Sequence, residues 1–362
     1  MGPPSEAVVG AVPAGNAIYP RSVDVGLKLS AFTVVDAYPP GPPDPSDRLL
    51  EVVRLAEVAE AGGLSTLWIA EHHFHAGGVC PSPPVLLAAC GARTRRIRLG
   101  SLVSVLPFHR PIDLAEQYAM VDRLLGGRLN LGVGSGYIPL EFEGFGVDPA
   151  TKRERFDTSL ETIVTALAGR EVRTDREGAS PVRLNVLPVQ RPHPPLWFAV
   201  QRREAIPFVA RRGVSLALIP YATVANTDEL AEEIREFRRS LPPGQTAEVA
   251  VALHVYAGDH PDTARRAFRR YLESRLETQS TFYRQKAERD PHGATPEAIE
   301  ASGFALFGSA ESVAERLDAF AKLGVDEILG IFDFGGLEPS EVHRSVTSLG
   351  RAWHRPVVSP PR

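Results

Sequence analysis

Thr66-Leu67-Trp68-Ile69-Ala70-Glu71-His72-His73-Phe74-His75 runs from a short apolar stretch straight into one acid and three histidines. The apolar part has the length and composition of a buried strand. The polar cluster sits where the C-terminal end of that strand emerges, which in a parallel barrel is the floor of the active site. Three of the chain's ten histidines fall within these four residues. The strand therefore suggests the fold class and, at the same time, where the chemistry lies.

Outward from this stretch, strand and helix patterns alternate. Strands are expected at 25–32, 66–70, 97–106, 128–133, 196–200, 214–220, 248–256 and 327–332. Helical periodicity covers 47–61, 84–92, 112–125, 156–167, 203–212, 227–239, 261–289, 310–323 and 339–353. Gly62-Gly63 and Gly126-Gly127 close two of these helices. Strict alternation implies parallel pairing. Eight units favour a (β/α)8 TIM barrel, with insertions after strands 4 and 7. Tyr137 to Arg155 and Gly169 to Pro195 do not fit the repeat, and loops of that length are uncommon unless functional.

The bulk numbers agree. The chain has 362 residues, 43% hydrophobic and 23% charged, with net charge -4. One domain is expected over 23–354, with a flexible leader at 1–22 and a flexible tail at 355–362. The charge argues against nucleic acid as a partner, since such domains carry a basic patch. No run approaches the roughly 18 apolar residues that span a membrane. No basic region followed by an apolar core opens the chain, so a signal peptide is not expected and the cytoplasm is. Cys80 and Cys90 form no metal or disulfide pattern and read as small buried residues. Only four positions are lysine (28, 152, 286 and 322), the other basic residues being arginine.

The histidines admit three readings. His73 and His75 form an H-x-H on a strand end, where alternate side chains point the same way. With His254 and Asp333 on late strands they would make a metal-dependent hydrolase. All three histidines could be structural. Alternatively one is catalytic and its neighbours tune it. Further on, Gly132-Val133-Gly134-Ser135-Gly136 places alternating glycines at a strand end, where a planar ligand or phosphate can approach the backbone. Pro139 follows, so this is a weak dinucleotide motif.

An ordered set of segments resembles the bacterial luciferase-like flavin monooxygenases. It comprises Trp68 to Phe74, Leu106-Pro107, Gly127-Arg128 through Tyr137, Glu141-Phe142, Phe145 to Asp148, Gln190 to Trp197 and Phe307 to Val313, and the match runs from about Val25 to Gly350. The resemblance implies reduced FMN as cofactor, O2 and a small organic molecule as substrates, and a separate flavin reductase as partner. It matches His72 to the catalytic histidine and Leu102-Val103 to a non-proline cis peptide beneath the flavin. Gly134, Ser135, Gly136, Tyr137, Val200, Gln201 and Arg202 would hold the cofactor. Phe32, His73, Glu141 and Phe142 would shape the substrate pocket, and Gly169 to Pro195 would close over it. A homodimer is implied through helices near strands 2 and 3, with Leu86, Leu87 and Ile112 as candidates against a plain packing role.

The chain departs from the family at Val200-Gln201-Arg202-Arg203, where two arginines stand in place of small and hydroxylated residues. Arginine clamps phosphate bidentately, so Arg202 could take over that task. Otherwise the pair is solvated charge at a helix start. A deazaflavin-dependent hydride-transfer enzyme on the same fold is the alternative function.

Overall fold

A computed structural model describes residues 26–37, 46–75, 77–173, 180–277, 281–290 and 292–354. The expected leader and tail lie outside these residues. The chain alternates as β1 (Lys28–Thr33), α1 (Ser46–Ala61), β2 (Thr66–Ile69), α2 (Pro83–Arg93), β3 (Arg98–Val105), α3 (Pro111–Leu124) and β4 (Leu129–Gly134). Then come α4 (Pro139–Gly144), α5 (Lys152–Leu167), β5 (Leu196–Val200), α6 (Ile206–Arg211), β6 (Ser215–Leu218), α7 (Pro220–Thr223), α8 (Thr227–Ser240) and β7 (Val249–Ala257). The last part holds α9 (Pro261–Glu277), α10 (Thr281–Arg289), α11 (Pro296–Ala301), β8 (Ala305–Gly308), α12 (Ala310–Asp318), β9 (Glu327–Ile331) and α13 (Pro339–Trp353).

Eight strands, all parallel, close a ring in the order β1-β2-β3-β4-β5-β6-β7-β9 and back to β1. The (β/α)8 TIM barrel is therefore present. The strands have almost no exposed face, as expected where helices cover a parallel sheet. All nine residues of β7 are buried.

A ninth strand, β8, was not expected. It pairs with β7 over His254–Ala257, beyond the stretch where β7 pairs with β9 over Ala250–His254. Four residues, Ala305 to Gly308, are too short to announce a strand by periodicity. The helix expected over 261–289 is two helices, α9 and α10. The base of the barrel is pinned by Glu327, whose carboxylate accepts Ser30 Oγ at 2.6 Å and Trp68 Nε1 at 2.9 Å. Gly100 leaves room for the Trp68 ring, since a Cβ there would come within 2.5 Å of it. Both cysteines are free and buried. No helix among the described residues is long and apolar enough to cross a membrane.

Residues Gly169 to Pro195 form the return from α5 to β5. Parallel strands require that return to run at the N-terminal end of the barrel. Gln190 Nε2 donates to Leu129 O at the start of β4 (2.7 Å), and Arg123 Nε donates to Leu187 O (2.6 Å). The described part of this segment is thus fixed at the end opposite the strand exits, and none of it borders the central cavity. The expectation that it closes over the site is corrected.

Candidate active site

A cavity of about 360 Å³ opens among the C-terminal strand ends, within the range of small-molecule sites. β2 ends at Ile69, and the chain then turns through Ala70 to His75. His72 N–H donates to Cys80 O at 3.0 Å, so residues 77–80 fold back over it. Gly78 permits this, because a Cβ there would lie 2.6 Å from that of His72. Phe74 takes a left-handed backbone, φ 66°, uncommon for a bulky residue. Strand alternation has therefore ended before His73 and His75.

The three histidines divide between two buried carboxylates. Glu141, carried by α4, accepts His72 Nδ1–H at 2.9 Å, His73 N–H at 3.0 Å and His75 Nε2–H at 3.2 Å, all on Oε1. Burial pushes its carboxyl up, but these donors outweigh burial and hold it at about 2. Glu71 accepts His73 Nε2–H at 3.1 Å and His109 Nε2–H at 2.8 Å. Burial raises the Glu71 carboxyl too, and the two imidazoles bring it below the usual value. Its Oε2 is buried without a partner among the described residues.

A carboxylate only accepts, so the geometry assigns the His72 proton to Nδ1. In the neutral ring Nε2 is then the acceptor. Burial lowers the His72 pKa, against the opposing pull of Glu141. His72 lines the cavity, and its chemistry there is that of a neutral imidazole able to take and return a proton.

The metal-hydrolase ligands are not assembled. His73 and His75 serve different carboxylates. His254 is fully buried among the rings of Tyr221, Tyr271, Phe268 and Phe334. Asp333 accepts Thr33 Oγ1 at 2.6 Å and pairs with Arg48 at 3.0 Å. A different trio, His72, His75 and Glu141, holds three ligand atoms within 4.8 Å of one another. A cation there would have to displace the protons that both rings donate to Glu141.

Around the cavity stand Phe32, His72, Leu102, Val103, Gly134, Ser135, Gly136, Tyr137, Glu141, Val200, Gln201 and Arg202. The Leu102–Val103 peptide is cis. The pairing of β3 with β4 shifts by one residue between Ser101 and Ser104, a bulge of the kind that re-aims side chains beside active sites. Gly134 packs against Val103, where a Cβ would approach within 2.5 Å. His73 and Phe142 were expected on the pocket wall but stand behind it. His73 packs edge-on against Phe145 and Phe108, and Phe142 edge-on against Phe108.

Sequence reasoning missed several wall residues. Lys152, Arg153 and Phe156 come from the first turns of α5. Tyr271 and Arg275 come from α9, and their four-residue spacing puts them on one helix face. Arg275 forms a buried ion pair with Asp36 at 2.9 Å. Tyr221 donates to or accepts from Tyr271 across 3.0 Å between the hydroxyls. His109 was also unnoticed, although it follows Leu106-Pro107 by two residues.

The family model described as luciferase-like monooxygenase matches residues 28–327. An uncharacterised protein, y4wF, of Sinorhizobium fredii is 37% identical over 183 residues, 49% of this chain and 54% of that protein. The chain thus matches only about half the length of that relative. The oxygenase component of flavin-dependent trigonelline monooxygenase from Acinetobacter baylyi is 24% identical over 79% of this chain and 83% of its own. The oxygenating constituent of 3,6-diketocamphane monooxygenase of Pseudomonas putida, solved in complex with FMN, superposes with a TM-score of 0.74 at 19% identity, over 90% of this chain and 97% of that one. At that identity the likeness speaks for the fold alone.

Proposed function

The chain belongs to the luciferase-like monooxygenases, and from that premise we propose that it uses reduced FMN and O2 to oxygenate a small organic substrate. The observation that carries the reading is convergence. The cavity is bordered together by the His72 imidazole, the Leu102–Val103 bulge, the Gly134–Tyr137 loop and the turn at Val200 to Arg202.

The wall has the chemistry a phosphorylated flavin requires. Leu102, Val103, Val133, Phe198 and Ile219 offer apolar surface for a ring system, and Lys152 and Arg202 offer positive charge for a phosphate. Reduced FMN, when bound, supplies the two electrons with which O2 is split between substrate and water. The chain's own residues do the rest. Gly134 to Tyr137 and Val200 to Arg202 hold the cofactor, and Phe32 and Glu141 border the substrate side. His72 moves a proton at Nε2, and Glu141 keeps the Nδ1 proton in place. Apolar walls exclude water, which protects reactive species from side reactions.

A separate reductase in the cytoplasm supplies the reduced flavin in this reading. The long connections after β4 and β7 are read as insertions on the minimal barrel. A homodimer belongs to the same reading, and Ile112, half-buried on α3, stays a candidate for its contact. Leu86 and Leu87 are buried in barrel packing, whereas Val85, Met120 and Leu124 on α2 and α3 are exposed, and we place the contact there.

The test is anaerobic titration with photoreduced FMN, followed by rapid mixing with O2. Support is saturable binding, with bound flavin reoxidising more slowly than free flavin and His72→Ala changing that rate. Binding no better than to a control protein refutes the FMN reading. Binding of a reduced deazaflavin instead, with no O2 consumed, favours the hydride-transfer alternative. An unchanged rate in His72→Ala removes the role given to His72.

A further inference from the structure

The third histidine of the cluster has no part in the proton transfer assigned to His72. His75 reaches Glu141 Oε1 at 3.2 Å, the same oxygen that takes His72 Nδ1–H at 2.9 Å and His73 N–H at 3.0 Å. One carboxylate oxygen has two lone pairs, so three donors crowd it. The His75 contact, the longest of the three, is the least well held. In a strand His73 and His75 would share a face. The left-handed backbone of Phe74, φ 66°, instead turns His75 back toward His72, so that residues three apart meet on one acid. Their ring centres lie 5.2 Å apart. Backbone held away from its preferred region tends to mark functional sites.

The same three side chains carry the donor set of a zinc-class cation. His72, His75 and Glu141 place one ligand atom each within 4.8 Å of one another. Tetrahedral zinc, with bonds of about 2.0–2.2 Å, holds its nitrogen and oxygen ligands about 3.3 Å apart. The two nitrogen–oxygen distances here are already 2.9 and 3.2 Å, so it is chiefly the two rings that need to close on the ion. Two imidazoles and one carboxylate are a zinc set, whereas magnesium and calcium take oxygen ligands. Glu141 is also held by His73 N–H, from outside the trio, the kind of outer contact that orients a metal-ligating carboxylate. His72 and Glu141 both border the cavity, which gives an ion a way in and water a fourth position.

We propose that His72, His75 and Glu141 form a binding site for one divalent cation of the zinc class, and that the ion switches off His72. The inhibition rests on the oxygenation reading above; the binding does not. A metal bond at His72 Nδ1 uses that nitrogen's lone pair, so in the neutral ring the proton leaves Nδ1 and is carried on Nε2. Nε2 changes from acceptor to donor and can no longer take a proton. The ring gains and loses no net proton, since its two nitrogens exchange roles. His75 makes the matching exchange, its proton passing from Nε2 to Nδ1. The crowded Oε1 then keeps one N–H donor, from His73, beside its bond to the metal.

The experiment uses the full chain without affinity tag or flavin, with Zn2+ alone as the probe and Mg2+ as the control. Calorimetric titration should give one Zn2+ per chain at micromolar affinity or tighter, and no binding of Mg2+. His75→Ala and Glu141→Gln should each weaken Zn2+ about tenfold or more, at least the effect of losing an outer-shell contact. His75→Gln, which keeps an N–H for Glu141, should lose Zn2+ affinity in the same way. His292→Ala, at an exposed histidine outside the site, should leave it unchanged. Co2+ in place of Zn2+ should show the intense visible absorption of tetrahedral coordination, and His75→Gln should abolish it. Nitrogen-15 spectra should place the His72 proton on Nδ1 without metal and on Nε2 with Zn2+. Where reduced FMN binds, Zn2+ should remove the difference in flavin reoxidation between wild type and His72→Ala.

Zn2+ held equally by wild type and both His75 variants is an adventitious ion only and overturns the site, as does no binding of Zn2+. Binding at the trio with the His72 proton still on Nδ1 overturns the switch. If reduced FMN fails to bind while Zn2+ binds as expected, the oxygenation reading falls and the cation site stands.

Discussion

Replacing Glu141 by Gln removes one charge from the middle of the histidine cluster and little volume. The native carboxyl is drawn from an ordinary 4.5 to about 2. At about 1.4 kcal/mol per pH unit, that difference corresponds to about 3 kcal/mol of stability. The sign follows from which state holds the proton more tightly. The unfolded carboxyl protonates first as pH falls, so the contribution is complete above about pH 4.5 and is lost as pH approaches 2. Glutamine resembles the protonated acid and never has it. Urea unfolding, followed by the fluorescence of the Trp68–Trp197 pair (ring centres 5.2 Å apart), should therefore show Glu141→Gln about 3 kcal/mol less stable at pH 7. The gap should narrow steadily below pH 4.5. Nitrogen-15 spectra should also place the His72 proton on Nδ1 in the wild type and lose that preference in the variant. A stability gap that stays constant from pH 7 to 2.5, or none at pH 7, would refute the reasoning.

Two other outcomes follow from particular contacts. Asp36→Asn leaves Arg275 buried opposite a neutral partner and should cost about 3–5 kcal/mol; a variant within 1 kcal/mol of wild type by the same unfolding assay would mean that other groups neutralise Arg275. Sedimentation of the intact chain should give twice the 39.3 kDa monomer mass, falling to the monomer when Leu124 and Met120 are both changed to Glu; a wild-type monomer at micromolar concentration removes the dimer.

Most of the ring was legible because parallel strands are buried on both sides. Runs such as Thr66 to Ile69 or Val249 to Ala257 carry almost no polar interruption. β8 escaped because four residues carry no period. The site was legible in its local motifs. His72, the cis Leu102–Val103 bond that the resemblance implied and the glycine loop border one cavity. Longer-range partnerships were not readable. Glu141 meets His72 from 69 residues away, and Asp36 meets Arg275 from 239. The H-x-H reading failed for a local reason. Alternation holds only inside a strand, and the strand stops at Ile69, before the first histidine. Lys152 was passed over because a lone lysine at a helix start usually faces solvent.

The fork in β7 bears on how this protein can be altered. Since β9 joins β7 directly, the excursion from α9 to β8 adds a strand that lies outside the hydrogen-bonded ring. That excursion nevertheless sends Tyr271 and Arg275 to the cavity wall. Changes in it reach the barrel as well as the cavity, because Arg275 is ion-paired with Asp36 and the rings of Phe268 and Tyr271 enclose His254 of β7. Cavity shape and scaffold integrity thereby meet in one stretch of the chain. A graft of this excursion between relatives should therefore disturb stability along with the cavity unless Asp36 and its Arg275 partner travel together.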